Sequence, residues 1–296
     1  IFNTLIDQDP YNNGYWNLLA SAKYLSNDFS ESIECSDYSL AIEPDDADAI
    51  LNKANCLMMI GNGQEAKSYY ESFKRLQPQS EAADMGIAAL LMNDNKLSES
   101  LVYWKNAEEL CSPNSNNILE IYRNISLVYA LCGDFNKALD TVGKLETLFG
   151  EKTIDVVLLK GYINLLSGDN IEAMACFENA LLMTPDKDKG NTLYYIAYCF
   201  LDCNYISQAH DIFRHLAESD NNKDYVDLWA YLVRTDYELG LQDEFLADLK
   251  KATEKNPVGI KRELSDVFPK GLSVIDFYNY AIHHPLSDKG RSMDKQ

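Results

Sequence analysis

The chain is 296 residues long, 46% hydrophobic and 24% charged, a balance that supports a continuous core and argues against wholesale disorder. Its 46 acidic residues outnumber 26 basic ones, giving a formal charge of -20 spread along the whole length. Such a surface repels phosphate backbones and acidic lipid, so no nucleic acid is expected as a partner; nor is membrane insertion, because no apolar run approaches the roughly 18 residues a spanning helix needs.

In chain order, residues 1–9 read as the second helix of a partial N-terminal repeat, ended by Pro10. The chain opens Ile1-Phe2-Asn3, with neither an initiator methionine nor a charged-then-apolar leader, which keeps open a sensory or regulatory segment of a longer protein. From 10 to 257, turns rich in Gly, Asn or Asp lead each time to one recurring position. Its occupants are Ser32, Ala66, Ser100, Ala138, Ala173, Ala209 and Phe245, at intervals of 34, 34, 38, 35, 36 and 36. Prolines 10, 44, 78, 113, 185 and 257 punctuate the same units, since proline suits a helix boundary and not its interior. Pro-Asp-Asp at 44–46 and Pro-Asp-Lys at 185–187 are expected to add N-capping acids. Between these breaks the apolar spacing is helical, as in Leu158, Leu159, Tyr162, Ile163 and Leu166. The unit is therefore helix, turn, helix, break, and such a hairpin buries its apolar faces only by stacking on neighbours. Beyond Pro257 the pattern stops. Helical stretches near Ile260–Val267 and Leu272–His283, parted by Phe268-Pro269-Lys270-Gly271, are expected to form a C-terminal cap over 258–286, and 287–296 a disordered tail.

Trp16-x-x-Leu19-Ala20 followed by Phe29, Ser32, Ser39, Leu40 and Pro44 makes one full copy of a recognisable pattern. A second runs Lys160-Gly161, Gly168-Asp169, Ala173, Phe177, Ala180-Leu181 and Pro185, and a third Trp229, Leu232, Gly240, Phe245, Leu249, Ala252 and Pro257. The pattern resembles the tetratricopeptide repeat family over roughly residues 11–257. That resemblance implies an all-α, right-handed α-solenoid of about seven helical hairpins, with first helices lining a concave groove. Phe245 departs from it, standing where a small residue lets two helices cross closely, and is expected to push its hairpin apart or bend the array.

Chemistry is sparse. Seven cysteines (Cys35, Cys56, Cys111, Cys132, Cys176, Cys199, Cys203) are odd in number and form no CxxC pair, so they read as small buried hydrophobes of a reducing, cytoplasmic compartment. Cys199 and Cys203 share a helix face with Asp202 between them, yet no second ligand pair accompanies them, and no metal is expected. His210 and His215 do not share a face, and His283-His284 closes a helix where a cation meets the dipole. With no phosphate-binding loop, dinucleotide turn or nucleophile elbow, neither an enzyme nor a cofactor is expected.

The resemblance turns attention to the groove positions of the first helices. Early ones are Asn17, Ser21 and Tyr24, then Leu51, Asn52, Asn55 and Met58, then Met85, Ala89 and Met92. A middle repeat offers Arg123, Asn124 and Leu127. Later ones supply Tyr162 beside Leu158, then Tyr194, Tyr195 and Tyr198, then Tyr231, Arg234 and Tyr237. Six tyrosines on three successive first helices suit a half-wet interface, and Arg234 and Arg123 suit single anion anchors. The Lys-Asn-Arg clamp with which one branch of the family grips chaperone tails is absent: Asn52 fits, but Asn17, Ala82 and Gly86 occupy the basic positions. The sequence thus points to a scaffold binding a protein or peptide through Asn52, Asn55, Arg123, the tyrosines and Arg234. A small-molecule or glycan module using the tyrosine cluster is the rival, and it would need a flat, shallow aromatic platform.

Overall fold

The computed structural model describes residues 2–113, 115–148, 153–219, 225, 227–268 and 271–284. The tail at 287–296, together with Pro269 and Lys270, lies outside the described residues. Those residues form helices and no strand, and the chain divides into two compact units, Ile1–Glu151 and Lys152–Gln296. In the first unit, α1 (Phe2–Gln8) precedes four hairpins: α2 (Asn13–Leu25) with α3 (Phe29–Ile42), α4 (Ala47–Met59) with α5 (Gly63–Leu76), α6 (Ala82–Asn93) with α7 (Leu97–Leu110), and α8 (Asn117–Leu131) with α9 (Phe135–Leu148). In the second unit three hairpins follow: α10 (Ile154–Ser167) with α11 (Asn170–Met183), α12 (Lys189–Asp202) with α13 (Ile206–Glu218), and α14 (Leu228–Leu239) with α15 (Gln242–Lys255). Two shorter helices, α16 (Pro257–Glu263) and α17 (Val274–His283), cover the last hairpin, α16 lying on α14 and α15, and α17 on α15.

All seven hairpin turns are built alike. The first helix ends on a residue in the left-handed region: Asn27, Asn95 and Asn204 at φ 59°, 57° and 65°, and Gly61, Gly133, Gly168 and Gly240 at 86°, 79°, 84° and 72°. Only glycine and, next best, asparagine tolerate this conformation. The next amide then donates back to the carbonyl five residues earlier, as in Asp28 N to Lys23 O at 2.9 Å, Lys96 N to Leu91 O at 2.8 Å and Asp169 N to Asn164 O at 2.9 Å. Carbonyls left over at the helix end are thereby satisfied, and the chain reverses in two residues.

Where the two helices of a hairpin cross, small buried side chains face each other twelve positions apart: Ala20 with Ser32, Ala54 with Ala66, Ala88 with Ser100, Ser126 with Ala138, Ala197 with Ala209. Two crossings carry a hydrogen bond as well, from Ser32 Oγ to Ala20 O at 2.7 Å and from Ser100 Oγ to Ala88 O at 2.8 Å. Gly161 takes the position opposite Ala173, and a Cβ there would stand 2.7 Å from the Phe177 ring, so glycine is required by close approach. The seventh hairpin places Val233 and Phe245 at this crossing, both buried. Phe245 is accommodated within the core, its ring 6.0 Å from that of Tyr237. That core runs on through Ile260, Leu264, Val274 and Phe277 of the C-terminal segment.

Breaks between hairpins vary more. Asp46 caps α4 through Ala49 N at 3.1 Å and also accepts from Asn13 and Asn17, both at 2.7 Å, and from Ser39 at 3.0 Å, tying α2, α3 and α4 together. The acids after Pro185 do not act this way: Asp186–Asp188 is a 3-10 turn, no side chain caps α12, and Asp186 pairs with Lys189 at 2.7 Å. The helix expected to reach Val267 ends at Glu263, where α16 gives way to turns after its Asn256 cap on Gly259 N at 3.0 Å.

Candidate binding cleft in the second unit

Three elements of the second unit converge on one site. On α12, Tyr198 and Asp202 are four residues apart; on α14, Tyr231, Arg234 and Glu238 follow at intervals of three and four, which puts each set on one helix face. The turn after α16 brings Glu263, Ser265 and Asp266 alongside. Between them lies a cleft of about 740 Å³, whose apolar side is Tyr198, Tyr231, Leu201 and Ile206 and whose rim is charged.

The rim is dominated by carboxylates. Asp202, Asp227, Glu238, Glu263 and Asp266 line the cleft against two guanidinium groups, Arg234 and Arg262. Arg234 meets Asp266 at 2.5 Å, Glu238 at 2.8 Å and the Glu263 carbonyl at 3.1 Å. Burial opposes its charge, but Asp266 and the neighbouring acids outweigh that and hold its pKa above the ordinary value. Arg234 in turn holds the Asp266 carboxyl below its ordinary value. Arg262 is engaged likewise, at 2.7 Å from Glu263 and 3.1 Å from Asp227. Both arginines are thus taken up by acids of the same cleft.

Six tyrosines expected to line the groove are distributed unequally. Tyr198 is 41% exposed. Tyr231 forms the floor beside it, 6.0 Å away and tilted 58°, while its own ring stacks on Phe213 at 5.2 Å; burial pushes its phenol up to about 12, so it stays a neutral donor. Tyr162 donates to Asp202, linking α10 to the rim. Tyr194 stacks on Tyr225 at 4.8 Å and 13°, and Tyr195 and Tyr237 pack partly buried against the hydrophobic core. Six residues of the rim had no place in the sequence expectation: Asp227, Glu238, Arg262, Glu263, Ser265 and Asp266. Glu238, four residues after Arg234, was findable as a helix ion pair; Asp227 is the N-cap of α14 itself, and Arg262, Glu263, Ser265 and Asp266 reach the site because α16 and the turn after it fold back onto α14.

Other expected site residues belong to the first unit and are tied into packing. Asn52 Nδ2 donates to Ser32 and Ser36 Oγ, both at 3.0 Å, and Asn55 accepts from Tyr70 OH at 2.7 Å. Met92 receives the Trp104 indole N–H at 3.2 Å. Arg123 is exposed on α8. In the second unit, burial and the nearby Asp202 push the Cys203 thiol up to about 12, and Cys199 is wholly buried. Among the described residues no group of three His, Cys, Asp or Glu side chains could hold a metal, and no helix is long and apolar enough to cross a membrane.

Residues 154–187, which span α10 and α11, match the family model for the tetratricopeptide repeat. Among solved structures, the chain is similar to a tetratricopeptide repeat protein from Parabacteroides merdae, at 16% identity and a TM-score of 0.60, over 89% of this chain and 97% of that one. It is similar to PilW, a type IV pilus biogenesis factor, at 16% identity and a TM-score of 0.56, over 64% of this chain and 85% of that one. A chain of the APC/C hetero-tetramer Cut9-Hcn1 aligns at 16% identity and a TM-score of 0.54, over 90% of this chain and 51% of that one. A search of curated protein sequences finds no match.

Proposed function

We propose that the chain, whose α10–α11 hairpin matches the tetratricopeptide repeat and whose fold is that of such proteins, is a non-catalytic interaction scaffold whose second unit holds a peptide segment of a partner in the cleft between α12, α14 and the turn after α16. The observation that carries this reading is the cleft itself, about 740 Å³ with an exposed Tyr198 above a Tyr231 floor. A cleft of several hundred cubic ångströms is of the size of a ligand site, and this one is mainly polar, with charged groups converging on its two tyrosines. Tyrosine gives such a site contact area and a hydrogen-bonding tip at low entropic cost. A sugar ring would need a flat aromatic face, and the 58° tilt between Tyr198 and Tyr231 supports a peptide instead.

The test is a selection of short random peptides on the immobilised full chain, followed by titration of those recovered against parent and Tyr198→Ala protein of equal helicity. Expected are peptides whose affinity falls by about tenfold or more on loss of the ring. Recovery of nothing, or of peptides indifferent to Tyr198, would remove the cleft as the site.

A further inference from the structure

The chemistry of the cleft narrows what it holds. Its five carboxylates exceed its two guanidinium groups, and each guanidinium already lies within 3.1 Å of a carboxylate of the same cleft. An incoming anion would therefore have to displace an internal carboxylate from Arg234 or Arg262 while facing the remaining excess of negative charge. An incoming cation meets that excess at Asp202, whose bond comes from the Tyr162 hydroxyl and not from a guanidinium, and at Glu238 it joins Arg234 on a carboxylate that can accept from both. Tyr198 adds a second attraction, since a cation over an exposed aromatic face is favoured by the ring quadrupole. This chain uses that contact elsewhere: Lys53 lies 4.7 Å from the Tyr69 ring centre and Lys251 4.4 Å from that of Trp229. Among the described residues, no lysine lines the cleft. The chain as a whole, at -20, draws in basic partners over longer range.

We propose that the cleft is specific for a basic peptide segment, with a lysine or arginine side chain lying on Tyr198 and reaching the carboxylates of Asp202 and Glu238. This rests on the peptide-cleft reading above and adds the chemical class of the partner. Tyr162, by donating to Asp202, is a positioning residue that holds one of these carboxylates at the rim.

Two measurements separate the specificity from the reading beneath it. The first is the composition of the selected peptides: enrichment in Lys and Arg supports the proposal. Acidic or uncharged peptides that still depend on Tyr198 would overturn the specificity while leaving the scaffold intact, and peptides indifferent to Tyr198 would overturn both. The second is fluorescence anisotropy with labelled Lys-Gly, Glu-Gly and Ser-Gly repeat peptides of equal length, on the parent and on an Asp202→Asn/Glu238→Gln variant. Expected is preference for the Lys-Gly probe, weakened about tenfold in the variant at low salt, with a shallower salt dependence. The single Asp202→Asn variant, which keeps an acceptor for Tyr162, repeats the test with half the charge removed. Equal binding of the three probes by the parent, or an unchanged salt slope in both variants, would overturn the proposal.

Discussion

Asn55 in the first unit and Tyr198 in the second each stand one residue after the small residue of a hairpin crossing, and Asn52 and Tyr231 each stand two residues before one. In the first unit these positions are spent on packing: Asn52 bridges α4 to the serines of α3, and Asn55 fixes the phenol of Tyr70. In the second unit they open onto a cleft, and the fixing is done by charge. Behind the cleft, Arg214 spans two fully buried carboxylates, Asp236 at 3.1 Å and Asp248 at 2.6 Å, and His210 lies 3.0 Å from Asp236. One repeat geometry thus puts the same positions to two uses, neutral hydrogen bonds at Asn52 and Asn55 and an open, charge-rimmed cleft at Tyr198 and Tyr231. A repeat position fixes where a side chain stands, and the neighbouring hairpins decide whether it packs or binds.

The largest effect should come from breaking the charged side of this comparison. Arg214→Met removes the guanidinium that bridges buried Asp236 and Asp248, leaving them to His210 and to Lys251 at 3.6 Å, and is expected to cost about 3 kcal/mol in urea unfolding, because breaking a buried pair leaves charge poorly compensated. A loss under about 1 kcal/mol would mean that water already screens the pair. Next is Asp46→Ala, a carboxylate on which three helices of the first unit converge. Losing a cap and several charge-assisted bonds should cost about 2–3 kcal/mol.

The two buried polar clusters, His210 with Asp236 and Asp46 with its donors, should also respond to pH in opposite senses. Asp236 holds the His210 pKa above its ordinary value, against burial and Arg214. With Asp211 beside it on α13, and Asp248 reaching in from α15 through Arg214, acids dominate its surroundings. Stability from this contact is complete below the unfolded-state pKa of about 6.5 and is lost as pH rises through the folded value. Burial raises the Asp236 carboxyl, which acts in the same sense. Asp46 behaves oppositely: burial alone would raise it, but bonds from Ala49, Asn17, Asn13 and Ser39 outweigh that and hold it low. Its contribution is present above a pKa of about 3.9 and is lost as pH falls through the folded value. Thermal unfolding of parent and His210→Gln between about pH 5 and 9 should therefore converge as pH rises; a parallel offset would place the His210 contribution in packing.

The smallest effects sharpen the contrast. Asn52→Ala should lower stability by about 1 kcal/mol and leave peptide affinity unchanged, since it removes neutral bonds to Ser32 and Ser36. Tyr198→Ala should do the reverse, weakening peptide binding with a stability change within about 0.5 kcal/mol, as fits an exposed side chain. Equal effects of both variants on stability and binding would erase the distinction between the units.

The hairpin register was legible in the sequence because its causes are local. A left-handed turn residue must be Gly or Asn, a close crossing demands small side chains, and both recur at fixed distances along the chain. Phe245 was recognisable as an exception, though not its place in a core that runs on into α16 and α17. Tertiary structure alone decided the rest. Six tyrosines at similar helical spacing look alike in sequence, and only what the fold lays over them, such as Tyr225 on Tyr194 or Phe213 against Tyr231, separates those that pack from Tyr198, which stays 41% exposed. Arg234 reads in sequence as an anion anchor, but Asp266 and the Glu263 carbonyl, brought back by the α16 turn from about thirty residues further along, already occupy it. Electrostatic pairing depends on distance in space and not along the chain, so the sign of the cleft, and with it the class of its partner, emerges only when the last hairpin is capped.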